Sequence, residues 1–276
     1  MRWRGRRRSG NVEDRRGKGG VAVAGGGVGL LVMLVVALVM GVDPTEILEQ
    51  APAAGPAREL SPADEEQRAF VEVVLASTED AWHTLFQAQG ATYREPTLVL
   101  FTDAVRSACG IAGAAVGPFY CPGDHQVYLD LGFFDALSRE LDAPGDFARA
   151  YVVAHEVGHH VQTLTGVSEQ VHAARRQSSE AEGNRLSVLQ ELQADCYAGV
   201  FAHDAARKNL LEPGDVEEAL TAASAIGDDN LQQRQQGYVV PESFTHGTSE
   251  QRASWFRRGF DDGRLEACDT FAAGAV

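Results

Sequence analysis

Residues 154–162 read Ala154-His155-Glu156-Val157-Gly158-His159-His160-Val161-Gln162, and the spacing in this stretch specifies both a helix and a chemistry. Positions four apart on an α-helix share a face, about 6 Å apart along the axis. His155 and His159 therefore aim two imidazoles at one point. Glu156 stands one residue round the helix, within reach of a water held by an ion at that point. Two His with an adjacent Glu form the zinc-hydrolase pattern H-E-x-x-H.

A catalytic zinc usually takes three protein ligands and keeps one position for water, so a third ligand must come from elsewhere. The extended pattern with a third His is excluded, because its Gly position is Gln162 and its His position is Thr165. The better candidate is Glu191, in Leu189-Gln190-Glu191-Leu192-Gln193-Ala194-Asp195. Asp195 lies four residues later on the same helical face. One carboxylate can bind the metal while the other accepts the N–H of a ligand His and fixes its ring. Glu180, Glu182, His160 and His172 compete on proximity alone. His160 points about 100° away from His159, which suits a packed or supporting role. Glu191 and Asp195 could also be a solvated acidic face, but Leu189, Leu192, Ala194 and Tyr197 around them favour the interior.

Charge is distributed unevenly. Residues 1–20 hold eight of the 24 Lys/Arg and two of the 39 acids, so the remaining chain carries 16 basic against 37 acidic residues. That balance argues against nucleic-acid binding, since a phosphate backbone would be repelled. Next comes Val21 to Val42, 22 residues without a charge. A membrane span needs roughly 20 apolar residues, whereas the apolar region of a signal peptide runs about 7–15. The only small-residue cleavage site, Ala51-Pro52-Ala53, lies well beyond the run. A single uncleaved anchor is expected, with the basic block in the cytoplasm and the C-terminal body outside. Pro, Ala and acids dominate residues 43–64 and read as a linker. The expected organisation is a basic cytoplasmic arm (1–20), a transmembrane helix (21–42), a linker (43–64) and a catalytic domain (65–276).

Cys109, Cys121, Cys196 and Cys268 all follow the apolar run, and none forms a CxxC pair. Outside the cytoplasm disulfides persist. Cys109–Cys121 with Cys196–Cys268 is the favoured pairing of three, because the first closes a short local loop; buried free thiols are the rival. Periodicity predicts helices over Glu66–Ala88, Phe133–Leu141, Asp146 (as N-cap) to Gly166, Asn184–Lys208, Asp215 to near Gly227, and Ser249–Phe260. Thr97–Phe101 and two runs within Gly117–Leu131 read as strands. A small mixed sheet followed by packed helices is an α+β architecture.

The segments Ala154–Gln162 and Glu191–Gly199 resemble the bacterial neutral zinc metallopeptidases, predicted membrane-anchored proteins. So do Ser107–Gly110, Gly117–Pro122, Ala225–Asp229 and Ser243–Gly247, and with the Arg-rich start the likeness covers nearly the whole chain. A more distant similarity is to membrane zinc proteases of the heat-shock and CAAX-processing type. Those pair the His-Glu helix with a later Glu-x-x-Ala-Asp, matched by Glu191–Asp195, and carry a His and Arg six apart, matched by His246 and Arg252. One span instead of several separates this chain from them.

The resemblance implies a zincin-like domain and a membrane-anchored zinc endopeptidase with His155, His159 and Glu191 as ligands and protein or peptide as substrate. Glu156 is expected to act as general base on zinc-bound water. His246 is the nominee for stabilising the oxyanion, with Arg252 as support or substitute. A structural hydrogen bond is the competing role for His246, and Tyr120, Tyr128 and Tyr197 are rival donors. The Gly117–Tyr120 strand could pair with an extended peptide. Two other function classes stay open: a catalytically silent metal-binding assembly protein of the cell envelope, and a zinc hydrolase of non-peptide amides such as cell-wall crosslinks.

Overall fold

The first residues of the chain belong to the folded body. The computed structural model describes residues 1–17 and 59–272, and strand β1 (Val12–Asp14) pairs in parallel with β2 (Thr97–Phe101), Val12 opposite Leu98 and Asp14 opposite Leu100. Between them runs helix α1 (Pro62–Ala88), opened by a Ser61–Asp64 capping box with Pro62 in its first turn. A hairpin of β3 (Ala104–Ser107) and β4 (Gly110–Gly113) follows, then β5 (Phe119–Cys121) and β6 (Gln126–Asp130) around the expected Pro-Gly-Asp turn. β6 lies parallel to β2 and antiparallel to β5, so the main sheet has the order β1-β2-β6-β5. β5 is an edge.

The rest is helical: α2 (Gly132–Arg139), α3 (Asp146–Leu164), α4 (Val167–Arg175), α5 (Glu180–Arg207), α6 (Asp215–Ala225), α7 (Asp228–Gln236) and α8 (Ser249–Asp262). The architecture is α+β, as expected. α3 is buried along nearly its whole length, with Tyr151, Val153, Ala154, Val157 and Val161 in the core against the inner faces of α5 and α6. α5 and α8 meet backbone to backbone. A Cβ on Gly259 would fall 2.0 Å from the Cys196 carbonyl oxygen, and one on Gly199 2.1 Å from that of Phe256. Only glycine fits at these two positions.

Both expected disulfides are present, Cys109–Cys121 and Cys196–Cys268. Gly145 (φ 123°), not Asp146, is the N-cap of α3. The Asp146 carboxylate instead accepts from the Met1 ammonium at 2.6 Å, beside Glu212 and Asp215. α1 starts at Pro62, so the domain begins several residues before 65 and the end of the expected linker is helix.

Residues 1–17 differ most from expectation, which made them a separate arm. Met1 is buried, Trp3 packs edge-on against Phe70 of α1, and the arginines line up on the acids of that helix. Arg4 pairs with Glu66 at 2.6 Å, Arg7 with Glu79 at 3.0 Å and with Asp80 at 2.7 Å. Glu79 is 1 % exposed, and it also takes hydrogen bonds from Ser9 and Asn11. Arg4, Arg7 and Arg8 of the basic block are thus counter-charges of one helix face. Val21–Val42 and residues 43–58 of the linker lie outside the described residues. Among the described residues, no helix is long and apolar enough to cross a membrane.

Candidate metal centre

Gly158, in the middle of the His-Glu stretch, allows the two helices that carry the candidate ligands to approach. A Cβ there would sit 3.0 Å from the Ala194 carbonyl oxygen and 3.1 Å from its Cα, tighter than ordinary contact. With α3 and α5 so close, Glu191 reaches both histidines. Its Oε2 lies 3.1 Å from His155 Nε2 and its Oε1 3.3 Å from His159 Nε2. One ligand atom from each of the three lies within 4.8 Å of the others. Among the rivals, Glu182 pairs with Arg185 at 3.3 Å and His172 is exposed on α4. Glu180 starts α5, about three turns from Glu191.

The surrounding hydrogen bonds determine which nitrogen of each ring faces the centre. His155 Nδ1 lies 2.8 Å from Asp195 Oδ1, and His159 Nδ1 lies 2.9 Å from Gln162 Oε1. The Gln162 amide donates to the Gln190 carbonyl oxygen and to Gln193 Oε1, so its own oxygen is the acceptor toward His159. Both Nδ1 atoms therefore carry hydrogens, and both Nε2 lone pairs point at a carboxylate. Three electron-pair donors converging on one point require a cation between them. Two imidazoles and one carboxylate suit zinc. Without metal, protons fill that need: burial opposes charge on His155, but Asp195 and Glu191 raise it to about 10. Glu191 raises His159 in the same way, against burial. Burial alone would push Glu191 up, yet the two histidines hold it well below the usual carboxylate range.

Behind His155 lies a buried polar cluster. Asp195, wholly buried, accepts from Arg252 Nε at 2.8 Å and Nη2 at 3.0 Å, and also from the Tyr151 hydroxyl. Burial works against its charge, and Arg252 and His155 still hold Asp195 below its ordinary value. Arg252 is 2 % exposed and committed to this carboxylate. Arg252, expected as support or substitute for the oxyanion donor, lines the cavity with its guanidinium held by Asp195.

A cavity of about 900 Å³ is lined by Gly117–Tyr120, His155, Glu156, His159, Glu191, Leu231 and His246. Glu156 is buried, and desolvation raises its pKa, which suits a proton acceptor. The rival hydroxyl donors are accounted for. His160 Nε2 donates to the Arg94 carbonyl oxygen at 2.6 Å, and burial holds that ring neutral at a pKa of about 4. Its Nδ1 therefore accepts from Tyr120 at 3.1 Å, which occupies the hydrogen of that hydroxyl. Tyr128 Oη donates to Asp124 or Gln126, and Tyr197 is buried against Trp82, outside the cavity lining.

His246 faces the cavity from the turn before α8, and Asp228 at the start of α7 holds it there. Asp228 Oδ2 accepts from the backbone N–H of Thr245, His246 and Gly247, while Oδ1 lies 3.1 Å from His246 Nδ1. That hydrogen bond raises the His246 pKa against partial desolvation. With Nδ1–H spent on Asp228, only the imidazolium presents an N–H toward the cavity from Nε2. Asp228 and Gln162 escaped the sequence reading. A His three residues before a Gln was a helical-spacing signal for Gln162; Asp228 lay in the family-like segment Ala225–Asp229 but was given no role.

The chain matches the family model described as "Putative neutral zinc metallopeptidase" over residues 1–271. It is 50% identical to the uncharacterized protein YpfJ of Escherichia coli (strain K12) over 283 residues, covering 98% of this chain and 99% of that one. It is 39% identical over 255 residues to an uncharacterized protein of Mycobacterium tuberculosis (strain ATCC 25618 / H37Rv), covering 86% and 85%. No solved structure matches. With that model spanning β1, both ligand-bearing helices and the His246 turn, this chain belongs to the neutral zinc metallopeptidase family, whose cofactor is zinc.

Proposed function

We propose that the protein is a zinc-dependent endopeptidase in which His155, His159 and Glu191 hold the metal. One observation carries this reading: two Nε2 atoms and a carboxylate converge within 4.8 Å, beside a buried Glu156 and under an open cleft. Zinc in that cage supplies Lewis acidity, activating water near neutral pH and polarising a carbonyl. Glu156 takes the proton of the attacking water and returns it to the leaving amine. His246, as imidazolium, donates from Nε2 to the developing oxyanion, with Asp228 fixing its ring. Asp195 and Gln162 hold the two ligand rings in the tautomer the metal needs.

The substrate is an extended peptide. Among the described residues β5 is an edge strand that pairs only with β6, and it lines the cleft through Phe119 and Tyr120. Its free backbone edge suits an added strand. The two disulfides support a catalytic domain on the oxidising side of the cytoplasmic membrane. The uncharged run Val21–Val42 supports attachment to that membrane.

The test is Glu156→Gln in the full-length protein, with metal content and cleavage of a peptide library measured together. Retained zinc with cleavage lowered by about 10²–10⁴-fold is expected, the range for loss of a general base. Undiminished cleavage sinks the role of Glu156. Wild-type protein that binds zinc and hydrolyses no peptide supports the silent metal-binding reading instead. Activity confined to peptidoglycan fragments favours the non-peptide amide reading.

A further inference from the structure

The described residues stop at 17 and resume at 59, and the structure puts Arg16 beside the start of α1. Arg16 Nη1 donates to the Asp64 carbonyl oxygen at 3.1 Å, and Arg16 Nη2 lies 4.0 Å from Glu65. Arg68, one turn further along α1, reaches Asp14 at 3.6 Å. The end of β1 and the start of α1 are therefore side by side. Within the sequence between them lies Val21–Val42, long enough and apolar enough for a bilayer.

A segment that crosses a bilayer once separates its ends by about 30 Å of hydrocarbon. Residues 1–17 and α1 would then lie on opposite faces. That arrangement is incompatible with the contacts seen: the three-residue register of β1 on β2, the buried Met1, and the hydrogen bonds of Ser9 and Asn11 to buried Glu79. Surface ion pairs such as Arg4–Glu66 contribute little individually. A strand in a sheet and a buried carboxylate with its partners are a different matter, since removing the arm leaves the charge buried and uncompensated. Of the arginines that would mark a cytoplasmic arm by the positive-inside rule, Arg4, Arg7, Arg8 and Arg16 are already engaged with α1.

We propose that residues 1–17 and 59–272 lie on the same face of the membrane, with no single crossing between them. The inference does not depend on the peptidase reading.

Single cysteines introduced at Gly10 and at Asp261 test it in the full-length protein in its membrane. Both positions are exposed, Gly10 has open space for a Cβ, and the native cysteines are all in disulfides. Intact spheroplasts are treated with a membrane-impermeant maleimide, and again after lysis. Expected is a membrane-bound protein in which Gly10→Cys and Asp261→Cys respond alike, both labelled or both protected before lysis. Opposite responses overturn the same-face arrangement. Recovery of the protein in the soluble fraction overturns the membrane placement. No catalytic property enters the readout, so failure here and failure of the peptidase reading are separate results.

Discussion

Asp195→Asn is the most informative change to the candidate centre, because the carboxylate is wholly buried and accepts four hydrogen bonds. They come from Tyr151, His155 Nδ1, Arg252 Nε and Arg252 Nη2. Asparagine keeps the shape, but one oxygen becomes an NH₂. In either orientation that donor faces another donor, Arg252 Nε on one side or Tyr151 and His155 on the other. The Arg252 guanidinium is left buried with its counter-charge gone. Breaking a buried pair from one side costs about 3–5 kcal/mol, out of a total of about 5–15 kcal/mol for a typical domain. Zinc affinity should fall about 10–100-fold, the usual effect of losing the partner that orients a ligand His. Urea denaturation and a chelator competition measure the two. Arg252→Met in the same background should restore part of the stability while leaving zinc affinity low, because the orphan charge is gone and the His155 partner is still missing. A stability loss below about 1 kcal/mol, within the range of an exposed pair, together with unchanged zinc affinity, would refute the cluster's role.

Three further outcomes follow from the geometry. His246→Ala should lower kcat about 10²–10³-fold, the effect of removing one oxyanion donor, and a kcat near wild type counts against it. Asp228→Asn removes the partner that raises His246, so the imidazolium is lost at lower pH. The alkaline limb of the pH–rate profile should move to lower pH, and an unmoved limb contradicts the dyad. Gly158→Val drives side-chain atoms into the Ala194 backbone and should destabilise by about 1–3 kcal/mol through overpacking. It should also weaken zinc binding by separating Glu191 from the histidines; a variant with native zinc affinity disproves the link between helix approach and ligand geometry.

The candidate centre was legible in part because its residues obey short-range rules. Spacing by four put His155 with His159 and Glu191 with Asp195, and the local loop rule favoured Cys109 with Cys121. What stayed hidden depends on the fold. Val12-Glu13-Asp14 has one β-branched residue and two acids, so nothing local announces a strand; β2 recruits it. Asp228 reads as an acid in a helix's first turn, and only the returning turn at Thr245–Gly247 reveals what it holds. Gln162 was read for the histidine pattern it breaks, while its service to His159 depends on Gln190 and Gln193 from another helix. Tyr120 looked free to donate until His160 and the Arg94 carbonyl fixed the direction of its hydrogen bond.

Strand β1 also changes how the protein should be handled at the bench. A soluble enzyme is conventionally sought by cutting away everything up to and including the apolar run. Here that truncation would strip the outermost strand from the sheet, leave the β2 edge open to pairing with other chains, and orphan Glu79 in the interior. Aggregated material from such a fragment would say nothing about the peptidase. The contact between Arg16 and Asp64 suggests the opposite surgery: keep the front, excise the middle, and close residue 17 onto residue 59 with a short polar linker.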